Sequence, residues 1–217
     1  HHSAMSERGR FITLEGGEGA GKSTQQRLLV TALQSQGLEV IATREPGGSP
    51  GAEEIRTLLV KGDSLRWDGV SEALLHFAAR RDHLRSLVWP ALERGAWVVS
   101  DRFADSTLAY QGYGHGLDRK VYDQLYRIVC GDFKPDLTLI LDLPVAAGLA
   151  RAGRRGGGED RYESMGAAFH ERLRQGFLKI AEQEPARCRV VDASKDEAAV
   201  ARALRAALDD ALGTTLS

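Results

Sequence analysis

Cysteine is scarce in this 217-residue chain: Cys130 and Cys188 are its only two, and no CxxC pair exists. A disulfide framework is thereby excluded. Cys130 falls in an amphipathic helical pattern and Cys188 at the start of a strand pattern. Both read as buried structural thiols, which fits a reducing cytoplasm. An excess of either charge is also missing: Lys and Arg number 29 against 30 Asp and Glu, a net charge of -1. A general nucleic-acid binder needs a basic surplus to track phosphates, so that class is disfavoured. No apolar run approaches the ~20 residues of a membrane span. Disorder is excluded for most of the chain by an ordinary hydrophobic content of 42% at a net charge near zero.

What is present suits one globular domain with a full core. His1-His2-Ser3-Ala4-Met5 reads as a purification-tag remnant ahead of the native start, with no signal peptide following and residues 1–9 a flexible N-terminus. Residues 10–217 form the expected domain. Short β-rich runs are expected at Phe11–Glu15, Val40–Thr43, Ala96–Ser100, Leu137–Leu141 and Val190–Val191. Helical periodicity marks Leu28 to Leu33, Ala52 to Val60, Val70 to Glu93, Val121 to Val129 and Val200 to Leu208. Nearly continuous apolar strands separated by helices predict an α/β fold of three layers, αβα, around about five parallel strands.

The strongest local signal is Gly16-Gly17-Glu18-Gly19-Ala20-Gly21-Lys22-Ser23, which matches G-x-x-x-x-G-K-[ST] at every fixed position. A strand precedes it and a helix follows, so the fold expected is that of a P-loop kinase. Glycines let backbone N–H groups converge on phosphate oxygens, and the helix N-terminus adds partial positive charge. Lys22 reaches the terminal phosphates, Ser23 ligates Mg²⁺, and Thr24 completes the nucleotide-binding stretch. The dinucleotide fingerprint fails, because Lys22 stands at its last position. A nucleoside triphosphate with Mg²⁺ is the expected occupant. Asparagine is absent from the chain, so the Asn-Lys-x-Asp motif with which guanine-nucleotide switches read their base is absent too.

A carboxylate within an anion cradle repels the phosphates if it faces them. Glu18 must point outward, either to solvent or as an acceptor for a hydroxyl of a second substrate. The loop has no basic residue besides Lys22, so further positive charge must come from elsewhere. Arg151, Arg154, Arg155 and Arg161 surround the stretch 153–158, where glycines confer mobility. A lid around 151–161 closing over the nucleotide is expected there. Arg44 follows the second strand and Asp101-Arg102 the third, where ligands of parallel sheets lie. Asp101 is favoured as the Walker-B-type acid near Mg²⁺, with Asp142 its rival. His76, Phe77, Arg80 and Arg81 share one helix.

These pieces occur in a recognisable order. Glu15-Gly16 leads into the loop, and Thr43-Arg44-Glu45-Pro46-Gly47-Gly48 comes next. Phe77-Ala78-Ala79-Arg80, Asp101-Arg102-Phe103, Tyr110-Gln111-Gly112 and the run Gly131 to Thr138 follow. The ordered set, over nearly all of Arg10 to Leu212, resembles the thymidylate kinases, and the lid arginines resemble their bacterial lid-type branch. The resemblance implies transfer of the ATP γ-phosphoryl group to dTMP, giving dTDP, by a homodimer. It implies that Glu18 accepts from the sugar 3′-hydroxyl and that Arg44 and Arg102 contact the acceptor phosphate, with Ser106 nearby. Arg80 would reach base or phosphate. Thr107 and Gln111 would read thymine, and Tyr110 would pack on the sugar. The family stacks a phenylalanine on the base four residues before an arginine. Here both Phe77, four before Arg81, and His76, four before Arg80, are open for that place. Phe77 also fits a core stripe with Val70, Leu74 and Leu84. Lys22, Asp101, Arg102, Arg154 and Arg155 carry the expected catalysis. A deoxynucleoside kinase acting on thymidine and a non-catalytic nucleotide switch are the alternatives.

Overall fold

The computed structural model describes residues 7–63, 65–155, 162 and 164–217. Phe11–Glu15 (β1) is buried along its whole length, as a strand flanked and covered on both faces must be. It pairs in parallel with Trp97–Asp101 (β3) on one side and Leu137–Asp142 (β4) on the other. Val40–Arg44 (β2) and Cys188–Asp192 (β5) close the edges, giving the order β2-β3-β1-β4-β5. The fold class expected from the alternation is the one observed.

Alternation along β1 divides the core. Phe11 joins Phe103, Ile140 and Phe177 on one face. Ile12 and Leu14 join Leu29 and Leu33 of Lys22–Ser35 (α1) and Leu204 and Leu208 of the last helix on the other. Thr13 breaks the apolar pattern, and its hydroxyl is matched 2.7 Å away by Thr138. β3 begins and ends one residue later than the apolar run suggests. Asp101 is its last residue, in register with both Leu14 and Arg44, which sets that carboxylate beside the phosphate loop.

Between β2 and β3 run Pro50–Val60 (α2) and Gly69–His83 (α3), the latter capped by Asp68 accepting from the Ser71 N–H at 2.7 Å. The helical pattern to Glu93 is continuous but not uniform. A π-helical turn, Leu84–Val88, joins α3 to Trp89–Glu93 (α4). Pro90 offers no N–H to an α-helical ladder, and the wider turn accommodates that loss. After β3 come Ala104–Thr107 (α5), a π-helical stretch Leu108–Gly114, and Arg119–Cys130 (α6). Val145–Arg155 (α7), Ala167–Gln183 (α8) and Glu197–Leu212 (α9) complete the chain. Both cysteines are buried and unpaired, and burial pushes each thiol up to about 12. Among the described residues no helix is long and apolar enough to cross a membrane.

Candidate active site

The phosphate loop owes its shape to three left-handed glycines, Gly16, Gly19 and Gly21, with φ of 146°, 74° and 89°. Its back is wedged onto α7. A Cβ added to Gly19 would lie 2.0 Å from the Gly148 carbonyl oxygen, and one on Gly148 would lie 2.4 Å from that of Glu18. Side chains at either position would force loop and helix apart. α1 opens on Gly21 with no side-chain cap, leaving its first N–H groups to a ligand. Lys22 is buried and its Nζ lies 3.5 Å from the Gly17 carbonyl. Burial and Arg102 pull its pKa down against Asp101, Glu18 and Glu15. Ser23 is exposed in the first turn of α1.

Arg102 is the hub of the site. Among the described residues it is the one non-glycine with positive φ, 72°. That left-handed backbone directs the side chain across the top of β1. Nη1 donates to the Gly16 carbonyl at 3.0 Å and to Ser106 Oγ at 2.9 Å, and Nη2 donates to the Tyr110 hydroxyl at 3.0 Å. Tyr110 passes the chain on, donating to Glu18 Oε1 at 2.8 Å, an oxygen also 3.7 Å from Arg102. Glu18 therefore turns away from the phosphate face. Burial would raise its carboxyl, but Arg102, Lys22 and Tyr110 together hold it below the ordinary glutamate value. Glu15, wholly buried beneath, accepts from Ser106 Oγ at 2.6 Å and from the N–H groups of Ser106 and Phe103 at 3.0 and 3.2 Å. Burial, reinforced by Asp105, pushes it up to about 8.

Beside this hub lies a cleft lined by His76, Arg80, Arg102, Ser106, Tyr110 and Gln111, all expected from sequence. Glu45 and Pro46, which the sequence marked only as part of the run Thr43 to Gly48, line it too, as does Tyr162, which sequence reasoning missed. Arg80 is anchored in its wall: Nε donates to Glu45 Oε1 at 2.7 Å and Nη2 to Thr107 Oγ1 at 3.0 Å. Three expected residues stand elsewhere. Phe77 faces the core against Tyr122 and Tyr126, because α3 turns His76 and Arg80, four apart, toward the cleft instead. Thr107 is consumed by Arg80 behind the wall. Arg44 is half exposed and paired with Glu53 at 3.0 Å, a carboxylate that also accepts from the Gly48 N–H at 2.9 Å.

The two acids after β3 and β4 differ in what holds them. Asp142 is taken up by Arg174, at 2.9 and 3.1 Å. Asp101 Oδ1 is buried without a hydrogen-bond partner among the described residues. On the other side of the loop a cavity of about 400 Å³ is lined by Gly19, Gly21, Thr24, Gln25, Arg151 and Arg154, and by the 193–197 turn after β5. That turn carries no motif in the sequence and was missed. Arg151 is tied to it, donating to the Ala193 carbonyl at 3.1 Å. The side chain of Arg155, and Arg161, lie outside the described residues, so the expected lid is placed only as far as Arg154.

A glycine cradle at the end of a central parallel strand, with an arginine reaching from it to a second cleft, defines a P-loop kinase of small phosphorylated substrates. Comparison with known proteins narrows the class. The family model for thymidylate kinase matches residues 14–204. A thymidylate kinase of Caulobacter vibrioides is 55% identical over 205 residues, 94% of this chain and 98% of that protein. One of Gluconobacter oxydans is 53% identical over 214 residues, 96% and 98% of the two chains. A solved thymidylate kinase structure from Ehrlichia chaffeensis superposes with a TM-score of 0.74 at 36% identity, over 93% of this chain and 99% of that one. The chain belongs to the thymidylate kinase family.

Proposed function

We propose that this chain transfers the γ-phosphoryl group of ATP to dTMP, giving dTDP and ADP. The family uses ATP as phosphoryl donor, and the chemistry follows from where the charges sit. The observation that carries the reading is Arg102, a single guanidinium that touches the phosphate loop at Gly16 and the second cleft at Ser106 and Tyr110. Two anions brought end to end repel, and a cation shared by both sites offsets that repulsion where charge moves during transfer. The acceptor is already an anionic oxygen, so no strong general base is required.

The triphosphate lies over the loop N–H groups with Lys22 at its end, and the adenine side occupies the cavity beside Arg151 and the 193–197 turn. Arg102 meets the dTMP phosphate. Glu18, held ionised and aimed outward, accepts from the sugar hydroxyl, and His76, four residues before Arg80, takes the base-stacking place. Gln111 and Arg80 face the polar edge of thymine. Mg²⁺ fits the donor set of Asp101, with its unpartnered Oδ1, and the Ser23 hydroxyl. When bound it neutralises phosphate charge. Arg154 and its neighbours add cationic charge from the lid side. Residues 10–217 act as one domain in the cytoplasm. A homodimer is supported by exposed Leu58, Val70, Leu74 and Ile128 on the adjoining helices α2, α3 and α6.

ADP release measured with dTMP, dUMP, dAMP and thymidine tests the reading. Turnover should be greatest with dTMP, whereas preference for thymidine would make the chain a nucleoside kinase. Lys22→Ala should lose most of kcat with dTMP, and wild-type turnover in that variant would remove Lys22 from the reaction.

A further inference from the structure

Gln111 and Glu72 are 0% and 1% exposed, and their side chains meet inside the cleft wall. Gln111 Nε2 donates to Glu72 Oε2 at 2.7 Å, and the Tyr162 hydroxyl lies 3.4 Å from both atoms. The other end of the same amide is unsatisfied: Gln111 Oε1 is buried with no hydrogen-bond partner among the described residues. Arg80 Nη1 is in the same condition. Both side chains line the cleft. A carboxylate accepts and cannot donate, whereas a carboxamide has one donor end and one acceptor end. Glu72 therefore selects the amide orientation in which nitrogen faces the wall and oxygen is left over.

We propose that Glu72 is a positioning residue for base selectivity. By holding the Gln111 amide in one orientation it pairs an acceptor, Oε1, with the guanidinium donor Nη1 of Arg80. That pair complements a pyrimidine presenting a carbonyl beside a ring N–H, as thymine does. It opposes one presenting an amino group beside an unprotonated ring nitrogen, as cytosine does. Binding the latter would set donor against donor and acceptor against acceptor, and buried groups left unpaired are costly. The inference rests on the cleft being the dTMP site.

The test is Glu72→Gln, which keeps size and shape but can donate as well as accept, so Gln111 is free to turn over. kcat/KM is measured for dTMP and dCMP, with KM for ATP alongside. The dTMP-to-dCMP ratio should fall by about tenfold or more, mainly through KM for dTMP, with KM for ATP unchanged. Glu72→Asp, which retains a carboxylate, should keep most of the ratio. Gln111→Leu should cut the preference to what Arg80 Nη1 alone provides, and adding Glu72→Gln to it should change nothing further. An unchanged ratio in Glu72→Gln, with the preference lowered in Gln111→Leu, would overturn the role of Glu72 and leave the proposed reaction standing. Wild-type protein making no ADP with dTMP would instead sink the reaction. A readout that needs no Glu72 variant is the Gln111 side-chain NH₂ signal in ¹⁵N-labelled protein, assigned by its loss in Gln111→Leu. It should exchange slowly with solvent, and fast exchange would refute the bond to Glu72.

Discussion

Removing the Glu45 carboxylate should be among the most damaging single changes to this fold. Glu45 is 5% exposed and Arg80 is 2% exposed. Its two oxygens serve two partners, Arg80 Nε at 2.7 Å and His83 Nδ1 at 2.8 Å, and His83 Nε2 continues to Thr43 Oγ1 at 2.7 Å. Apart from the neutral acceptors of Nη2, Thr107 Oγ1 at 3.0 Å and the Phe103 carbonyl at 3.3 Å, Arg80 is set over the Phe77 ring at 4.6 Å and the Phe103 ring at 5.2 Å. Burial pulls the guanidinium toward its neutral form, and Glu45, together with Cys130 and Tyr122, more than restores the charged form. Glu45→Ala leaves that cation buried and unpaired, a situation that costs about 3–5 kcal/mol. At roughly 2–4 °C per kcal/mol for a domain of this size, Tm should fall by ~6–20 °C. Glu45→Gln keeps an acceptor for Arg80 and should cost about half as much. The decisive comparison is Glu45→Ala/Arg80→Met. Removing the stranded charge should make the double variant ~2 kcal/mol more stable than the sum of the singles predicts. Thermal and urea unfolding followed by circular dichroism, at one fixed protein concentration, measure all of them. A loss below ~1 kcal/mol in Glu45→Ala, or strict additivity in the double variant, would refute the claim that an uncompensated Arg80 is what the carboxylate prevents.

Three other outcomes follow from particular contacts. Arg102→Ala and Arg102→Gly should both lose about 10²–10³ in kcat, since both delete the bridging cation. The glycine variant should be the more stable by about 1 kcal/mol, because only it adopts φ 72° without strain. Equal unfolding midpoints would contradict that. Gly148→Ala drives a methyl to within 2.4 Å of the Glu18 carbonyl oxygen. It should cost about 1–3 kcal/mol and raise KM for ATP, although α7 lies far along the chain from the loop. An unchanged KM would show that the loop does not lean on that helix. Cys130 and Cys188, with thiols pushed up to about 12, should resist a thiol reagent at pH 8 until the protein is unfolded. The unfolded thiols ionise from about pH 8.5 while the folded ones stay protonated. Unfolding then releases protons, so stability should fall as pH rises through that value. Rapid labelling of native protein, or stability rising with alkaline pH, would refute it.

Whatever depends on neighbours along the chain was legible in the sequence, and whatever depends on neighbours across it was not. The phosphate loop is eight consecutive residues whose backbone demands can be read one by one, and the strands before and after it announce themselves by apolar continuity. The sheet order is not local, so Asp142 stood as a rival to the favoured Asp101 until Arg174, 32 residues beyond Asp142, proved to occupy it. Helical spacing offered both His76 and Phe77 for one place. Only the packing of α3 on α6 decides which of them faces Tyr122 and which faces the cleft. The same reason hid the pairing of Glu45 with Arg80 and His83, and it hid Glu72, Tyr162 and the 193–197 turn, which carry no spacing signal of their own. Glu72 in a helical stretch reads as a solvated acid, and it becomes a determinant of the cleft because the fold places Gln111, 39 residues later, against it. Side chains that touch phosphate are constrained by the shape of phosphate and so recur in readable patterns. Those that orient other side chains answer only to their particular partner, and their signal exists only once the chain has folded.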